Sequence, residues 1–107
     1  MLRDMNKRLE MLEKVTRSGT ADSFAWYALA MEYRKAGETE LALSTFATLR
    51  DKDPDYVAMY LMAAQVLMEA ERDAEAVPWL EQGIVTARAR GDMKALAELE
   101  QALASAR

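Results

Sequence analysis

Residues 22–55 read DSFAWYALAMEYRKAGETELALSTFATLRDKDPD, and this stretch decides the fold of the chain. Large and small side chains recur at helical spacing on both sides of Gly37, a residue type that commonly ends a helix in the left-handed conformation. Pro54 disfavours helical geometry at the residue before it, so a second helix should stop there. The stretch therefore predicts two helices joined by a tight turn, with these markers in order: Trp26, Leu29, Ala30, Tyr33, Gly37, Ala42, Phe46 and Pro54.

This order of large and small residues resembles a tetratricopeptide repeat, a helix–turn–helix unit of about 34 residues. The resemblance implies an all-α fold in which antiparallel helix pairs stack into a right-handed superhelical array. It also implies a role in protein–protein interaction, because such repeats generally present a groove to a partner chain and rarely carry catalytic residues.

A second copy of the repeat appears when about 34 residues are added to each marker. Trp26 then maps to Tyr60, and most other large or small positions keep their size. Gly37 maps to Glu71, so the turn inside the second repeat loses the residue that most easily adopts the left-handed conformation.

These copies predict a single domain of about six helices over residues 1–107. The final segment has apolar residues at helical spacing and a polar remaining face, which is typical of a helix that caps the end of an array. The predicted segments are a half-repeat helix at 3–18, repeat one at 22–55, repeat two at 56–90 and a capping helix at 92–106.

Local signals predict helix ends and one close contact. Asp22 or Thr20 should cap the second helix, and Asp73 the fifth, because their short side chains can accept hydrogen bonds from free N–H groups of the first turn. Gly83 lies inside the fifth helix, where glycine costs about 1 kcal/mol relative to alanine. We therefore expect a neighbouring helix to approach closely at Gly83.

Composition excludes several functions. The 107 residues include no cysteine and no histidine, which removes disulfides, thiolate metal sites and the usual general base. The formal charge is −4 without a basic stripe, so we expect no nucleic-acid partner. No apolar run is long enough for a secretory signal or a membrane span. We expect a cytoplasmic protein that is not an enzyme, with no catalytic residue, metal or cofactor.

The partner-binding residues are predicted from the resemblance, which implies that the first helix of each repeat lines the concave face. Methionine and aromatic side chains there suit an apolar guest, such as an amphipathic helix or an extended segment. Two basic residues at the rim would favour a guest with some acidic character. The predicted residues are Phe24, Tyr27, Met31, Arg34 and Lys35 in repeat one, and Leu61, Met62, Gln65 and Met68 in repeat two.

Other interpretations of these residues stay open. The same side chains could pack against flanking helices or against a second copy of the chain, giving a self-association module. The N-terminal stripe Leu2–Met5–Leu9–Leu12 is a second candidate for such pairing. A third hypothesis is chaperone-like shielding of an apolar client segment. One subgroup of the family clamps a terminal carboxylate with basic and amide side chains, but here those positions are held by Tyr27, Ala28, Met31, Ala58 and Met62.

Overall fold

The computed structural model describes residues 6–107, and within that range the chain forms six helices and no strand. This confirms the predicted all-α fold. The helices are α1 (Lys7–Arg17), α2 (Ser23–Lys35), α3 (Thr39–Lys52), α4 (Ala58–Glu69), α5 (Asp73–Arg90) and α6 (Met93–Ala106).

The helices form two compact units. The first unit ends at Asp53, and the second extends from Pro54 to Arg107.

In the first unit, α2 packs against both α1 and α3. Its core includes Phe46 and Leu49 of α3, neither of which has any exposed surface. Leu9 and Leu12 of the predicted N-terminal stripe are also buried, so they are not available for pairing with a second copy. The other two residues of that stripe, Leu2 and Met5, lie outside the described residues.

Side-chain caps fix the starts of the first two helices. Asn6 Oδ1 accepts a hydrogen bond from the Leu9 N–H at 2.9 Å and caps α1. Asp22 Oδ1 accepts from the Ala25 N–H at 2.9 Å, which confirms the predicted Asp22 cap of α2. The predicted start of α1 at Arg3 lies outside the described residues.

The predicted cap of α5 is wrong. Asp73 is already the first helical residue, and Arg72 occupies the capping position without a side-chain cap. The short turn between α4 and α5 explains this. The Arg72 N–H donates to Leu67 O at 2.8 Å and closes the turn, so α5 begins at the next residue, Asp73. The Arg72 guanidinium instead donates to the Glu75 carboxylate at 2.6 and 2.8 Å.

The second unit packs α4, α5 and α6 against one another. Tyr60 and Leu80 are fully buried within it. Gly83 is a point of close approach, since a Cβ placed there would lie 2.6 Å from Tyr60 Cβ and 2.9 Å from Leu99 Cδ2. The close contact predicted from this glycine is confirmed, and α6 as well as α4 takes part in it.

Besides α1, which is followed by Gly19 (φ 80°), three helices end in the same kind of turn, in which one residue has a positive φ. That residue is Gly37 (φ 77°) after α2, Glu71 (φ 60°) after α4 and Gly91 (φ 71°) after α5. Glu71 thus adopts the left-handed conformation without the advantage that glycine has there. In each turn the next residue donates its N–H to a carbonyl five residues earlier: Glu38 to Tyr33, Arg72 to Leu67, and Asp92 to Ala87.

Candidate functional site

A cavity of ≈ 210 Å³ lies between α4 and α6 in the second unit. Two of the predicted partner-binding residues, Leu61 and Met62, line it. Alanines on both helices contribute only a methyl group to its wall. The complete lining is Val57, Ala58, Leu61, Met62, Asp92, Ala95, Glu98 and Leu99. We refer to this feature as the α4–α6 cavity.

The contribution of α6 to this cavity was not predicted. The sequence assigns α6 the role of a solvating cap, yet Ala95 and Leu99 form part of the apolar wall. Leu99 is almost fully buried, and its Cδ2 lies 2.9 Å from the position that a Cβ at residue 83 would occupy. The four-residue spacing of Ala95 and Leu99 on one helix face was the available signal.

Carboxylates form part of the wall of the α4–α6 cavity and of the cavity next to it. Asp92 and Glu98 belong to its lining, and an adjoining cavity of ≈ 240 Å³ shares Asp92 and adds Asp55 and Arg90. Asp92 Oδ1 accepts from the Ala95 N–H at 3.1 Å and caps α6. Within residues 6–107, the side chains of Asp55 and Glu98 form no hydrogen bond or ion pair. Three carboxylates and one guanidinium therefore give this region a net negative charge.

Two other predicted residues of repeat two do not line the cavity. Gln65 and Met68 are half-buried on α4, and neither is among the residues that form its wall. The structure thus brings Leu61 and Met62 together with α6, and it leaves the more C-terminal part of the predicted stripe outside.

The predicted residues of repeat one are exposed to different degrees. Phe24 is 63% exposed, whereas Tyr27 and Met31 are half-buried. The Tyr27 ring packs edge-on against Phe46, with 6.3 Å between the ring centroids. Burial raises the pKa of the Tyr27 phenol above 10.0, and the nearby positive charge of Arg34 partly opposes this shift.

The two basic residues predicted at the rim of repeat one also differ. Arg34 is half-buried at the end of α2, and Lys35 beside it is exposed. Both lie in the last turn of their helix, where a positive charge interacts favourably with the helix dipole.

The first unit also has an open cavity of ≈ 240 Å³ that the sequence did not predict. Tyr33 and Glu13 meet at its wall, and the Tyr33 hydroxyl donates to Glu13 Oε2 at 2.6 Å. The hydroxyls of Thr16 and Thr45 in the same wall donate to carbonyls of their own helices. Four of its polar side chains are therefore engaged within the first unit, and the exposed Arg17 adds a charge to its wall, which makes it a weaker candidate for an apolar guest.

The described part of the chain has neither a cluster of metal ligands nor a membrane-spanning helix. Among residues 6–107, no group of three or more acidic side chains is arranged to hold a metal ion. No helix in the same range combines the length and the apolarity needed to cross a membrane.

Comparison with known proteins identifies similar sequences and folds. Residues 33–99 match the tetratricopeptide repeat family profile. The solution structure of a tetratricopeptide repeat domain protein from Salinibacter ruber shares 37% sequence identity, covering 80% of this chain and 87% of that one, with a TM-score of 0.76. A protein from Bordetella parapertussis shares 26% identity over 92% of this chain and 85% of its own, with a TM-score of 0.78.

A more distant structure shares the fold alone. The TPR2B domain of yeast Sti1, in a complex with pHsp70, has a TM-score of 0.82 at 16% identity, covering 92% of this chain and 78% of that one. Among curated protein sequences, none matches this chain.

Proposed function

This chain belongs to the tetratricopeptide repeat family, whose fold is a common protein–protein interaction module, and from that premise we propose that it is a non-catalytic adaptor for a peptide or an amphipathic helix. The TPR2B domain of yeast Sti1 has the same fold and is in a complex with pHsp70, which supports this class of function. It does not identify a shared partner.

The α4–α6 cavity is the observation that carries the proposal. Its wall is mainly apolar, and its volume of ≈ 210 Å³ exceeds the roughly 150 Å³ in which an apolar cavity can hold benzene. One leucine, methionine or phenylalanine side chain of a partner would fit. Met62 can adjust to the shape of such a guest because its side chain is unbranched and flexible.

A second contact is proposed on α2 of the first unit. Phe24 is mostly exposed, and Tyr27 and Met31 present part of their surface beside it. Aromatic side chains of this kind provide rigid apolar area at little cost in conformational entropy, which is why they often dominate the energy of an interface.

The proposal is tested by a substitution in the wall that fills the cavity with a larger side chain. Ala95→Leu should occupy the space that a guest side chain needs, whereas Ala97→Leu adds the same atoms at an exposed position of α6 outside the lining. The probe is a fluorescent amphipathic peptide of about 18 residues with a leucine stripe and a glutamine polar face. We expect Ala95→Leu to weaken binding about tenfold or more and Ala97→Leu to leave it unchanged. Equal affinity for both variants would contradict the proposal.

Self-association is the second candidate, and α1 provides the observation that favours it. Met11 is 54% exposed and Val15 is 38% exposed, so this helix retains an uncovered apolar surface. Sedimentation equilibrium from low micromolar to near-millimolar concentration tests this function. A dimer that dissociates in Met11→Lys would assign the surface to a second copy, and a monomer at all concentrations would exclude it.

A further inference from the structure

We propose that the partner of the α4–α6 cavity is cationic, with one apolar side chain that enters the cavity and lysine or arginine residues that flank it in the partner. This inference rests on the proposed function, because it specifies the chemistry of the guest at the same site. The charge proposed here for the partner is opposite to the acidic character expected from the basic residues of repeat one.

The acidic side chains have no other ionic partners in the described part of the chain. Glu98 lines the cavity and forms no ion pair there, and Asp55 in the adjoining cavity forms none either. Asp92 uses one carboxylate oxygen, Oδ1, to cap α6. These groups remain solvated until an external cation reaches them.

The basic residues of the second unit balance only part of this charge. Lys94 lies one turn before Glu98 on α6, and within residues 6–107 it forms no ion pair. Arg88 lies 3.7 Å from the Glu100 carboxylate, and Arg107 lies 2.9 Å from that of Glu81. Arg90 is the one basic residue in the wall of the adjoining cavity. The negative charge of Asp55, Asp92 and Glu98 is therefore only partly balanced from within the second unit.

The geometry of the cavity favours a guest that combines an apolar side chain with cationic residues. The cavity wall is apolar on α4 and α6, whereas Asp92 and Glu98 belong to α6 and its cap. A partner helix with a leucine stripe and flanking lysines would place its apolar side chain in the cavity and its ammonium groups near these carboxylates. An acidic partner of the same shape would bring like charges together and would bind more weakly.

The experiment compares three synthetic peptides of about 18 residues that share one leucine stripe and differ only in a lysine, glutamine or glutamate polar face. Fluorescence anisotropy on the full chain measures their affinity at low and at physiological salt. If the peptide forms two exposed ion pairs of ordinary strength with these carboxylates, the lysine peptide should bind about fivefold more tightly than the glutamine peptide. Salt should reduce this difference. The glutamate peptide should bind most weakly.

Charge reversal locates the effect. Glu98→Lys should remove most of the preference for the lysine peptide and improve binding of the glutamate peptide by several-fold. Glu10→Lys makes the same change in net charge on α1, where the side chain is exposed and distant in sequence from the cavity, and it should leave the order of the peptides unchanged. If both variants act equally, the preference comes from the overall charge of the chain and the inference is overturned.

The outcomes separate this inference from the proposed function. If the three peptides bind wild type equally and Ala95→Leu abolishes binding, the cavity is a docking site and the cationic specificity is wrong. If no peptide binds wild type at near-millimolar concentration, both proposals fail. If the lysine peptide binds best, Glu98→Lys removes the preference and Ala95→Leu weakens all three, both are supported.

Discussion

Tyr60 of α4 and Gly83 of α5 touch so closely that a single added carbon at position 83 would lie 2.6 Å from Tyr60 Cβ. Real Cβ atoms essentially never approach to that distance. The two helices can therefore pack this closely only because residue 83 has no side chain. Leu99 of α6 completes the contact from the other side. The position of α6, and hence the wall of the α4–α6 cavity, depends on this glycine.

Gly83→Ala should destabilise the chain. Alanine normally stabilises a helix interior by about 1 kcal/mol relative to glycine, but here the added methyl would force backbone or side-chain shifts that typically cost about 1–3 kcal/mol. We expect a lower free energy of unfolding in urea denaturation. Ala89→Gly, at an exposed position of the same helix, should be destabilising by about 1 kcal/mol or less. A Gly83→Ala variant more stable than wild type would contradict the close packing.

Glu71→Gly should stabilise the chain. Glu71 holds a left-handed conformation (φ 60°) that costs a residue with a side chain about 1–2 kcal/mol. Part of this gain is offset because glycine has more conformational freedom in the unfolded chain, so we expect a net increase of about 0.5–1 kcal/mol in the free energy of unfolding.

Glu71→Gln separates the backbone effect from the loss of a negative charge. Glutamine retains a similar side chain and the same backbone cost, so its free energy of unfolding should stay within a few tenths of a kcal/mol of wild type. If glutamine stabilises as much as glycine does, the charge and not the backbone is responsible.

Tyr60→Phe should destabilise the second unit without changing its packing. The Tyr60 hydroxyl donates to the Pro54 carbonyl at 2.5 Å, and the Tyr60 side chain is fully buried. Removing the hydroxyl leaves that carbonyl without this partner, which typically costs about 1–2 kcal/mol. Thermal unfolding followed by circular dichroism measures the loss. An unchanged melting temperature would show that water replaces the hydroxyl at no cost.

Tyr27 should make stability depend on pH in the alkaline range. Its pKa is raised above 10.0 in the folded chain, mainly by burial, so its contribution is fully present below pH 10.0 and is lost as the pH rises through the folded pKa. The free energy of unfolding of wild type should therefore fall more steeply above pH 10.0 than that of Tyr27→Phe. Parallel curves for the two proteins would contradict the raised pKa.

The helical repeat could be predicted because its signals are local. The turn at Gly37 and the recurrence of Trp26 as Tyr60 depend on residue size at fixed spacing, which the chain carries in its own order. The close approach at Gly83 was also predictable, since glycine inside a helix needs a reason. The same local reasoning failed at Asp73, because the tight turn made Arg72 the capping residue.

The candidate site was harder to predict because it combines residues far apart in the sequence. The spacing on α4 selects Leu61 and Met62, but it equally selects Gln65 and Met68, which lie outside the cavity. Which of these four α4 residues line the cavity depends on the rotation and position of α6 opposite them. That geometry follows from packing at Gly83 and is not encoded in the period of either helix.

The unfilled volume between α4 and α6 also links occupancy to the folding equilibrium. A guest that binds only the folded chain lowers the free energy of that state, and at a concentration of one hundred times its Kd the gain is about 2.7 kcal/mol. Because the wall of the cavity comes from both the first and the last helix of the second unit, unfolding of either would release the guest. Heat resistance of the second unit is therefore a direct gauge of cavity occupancy, and candidate partners can be ranked by it without a label.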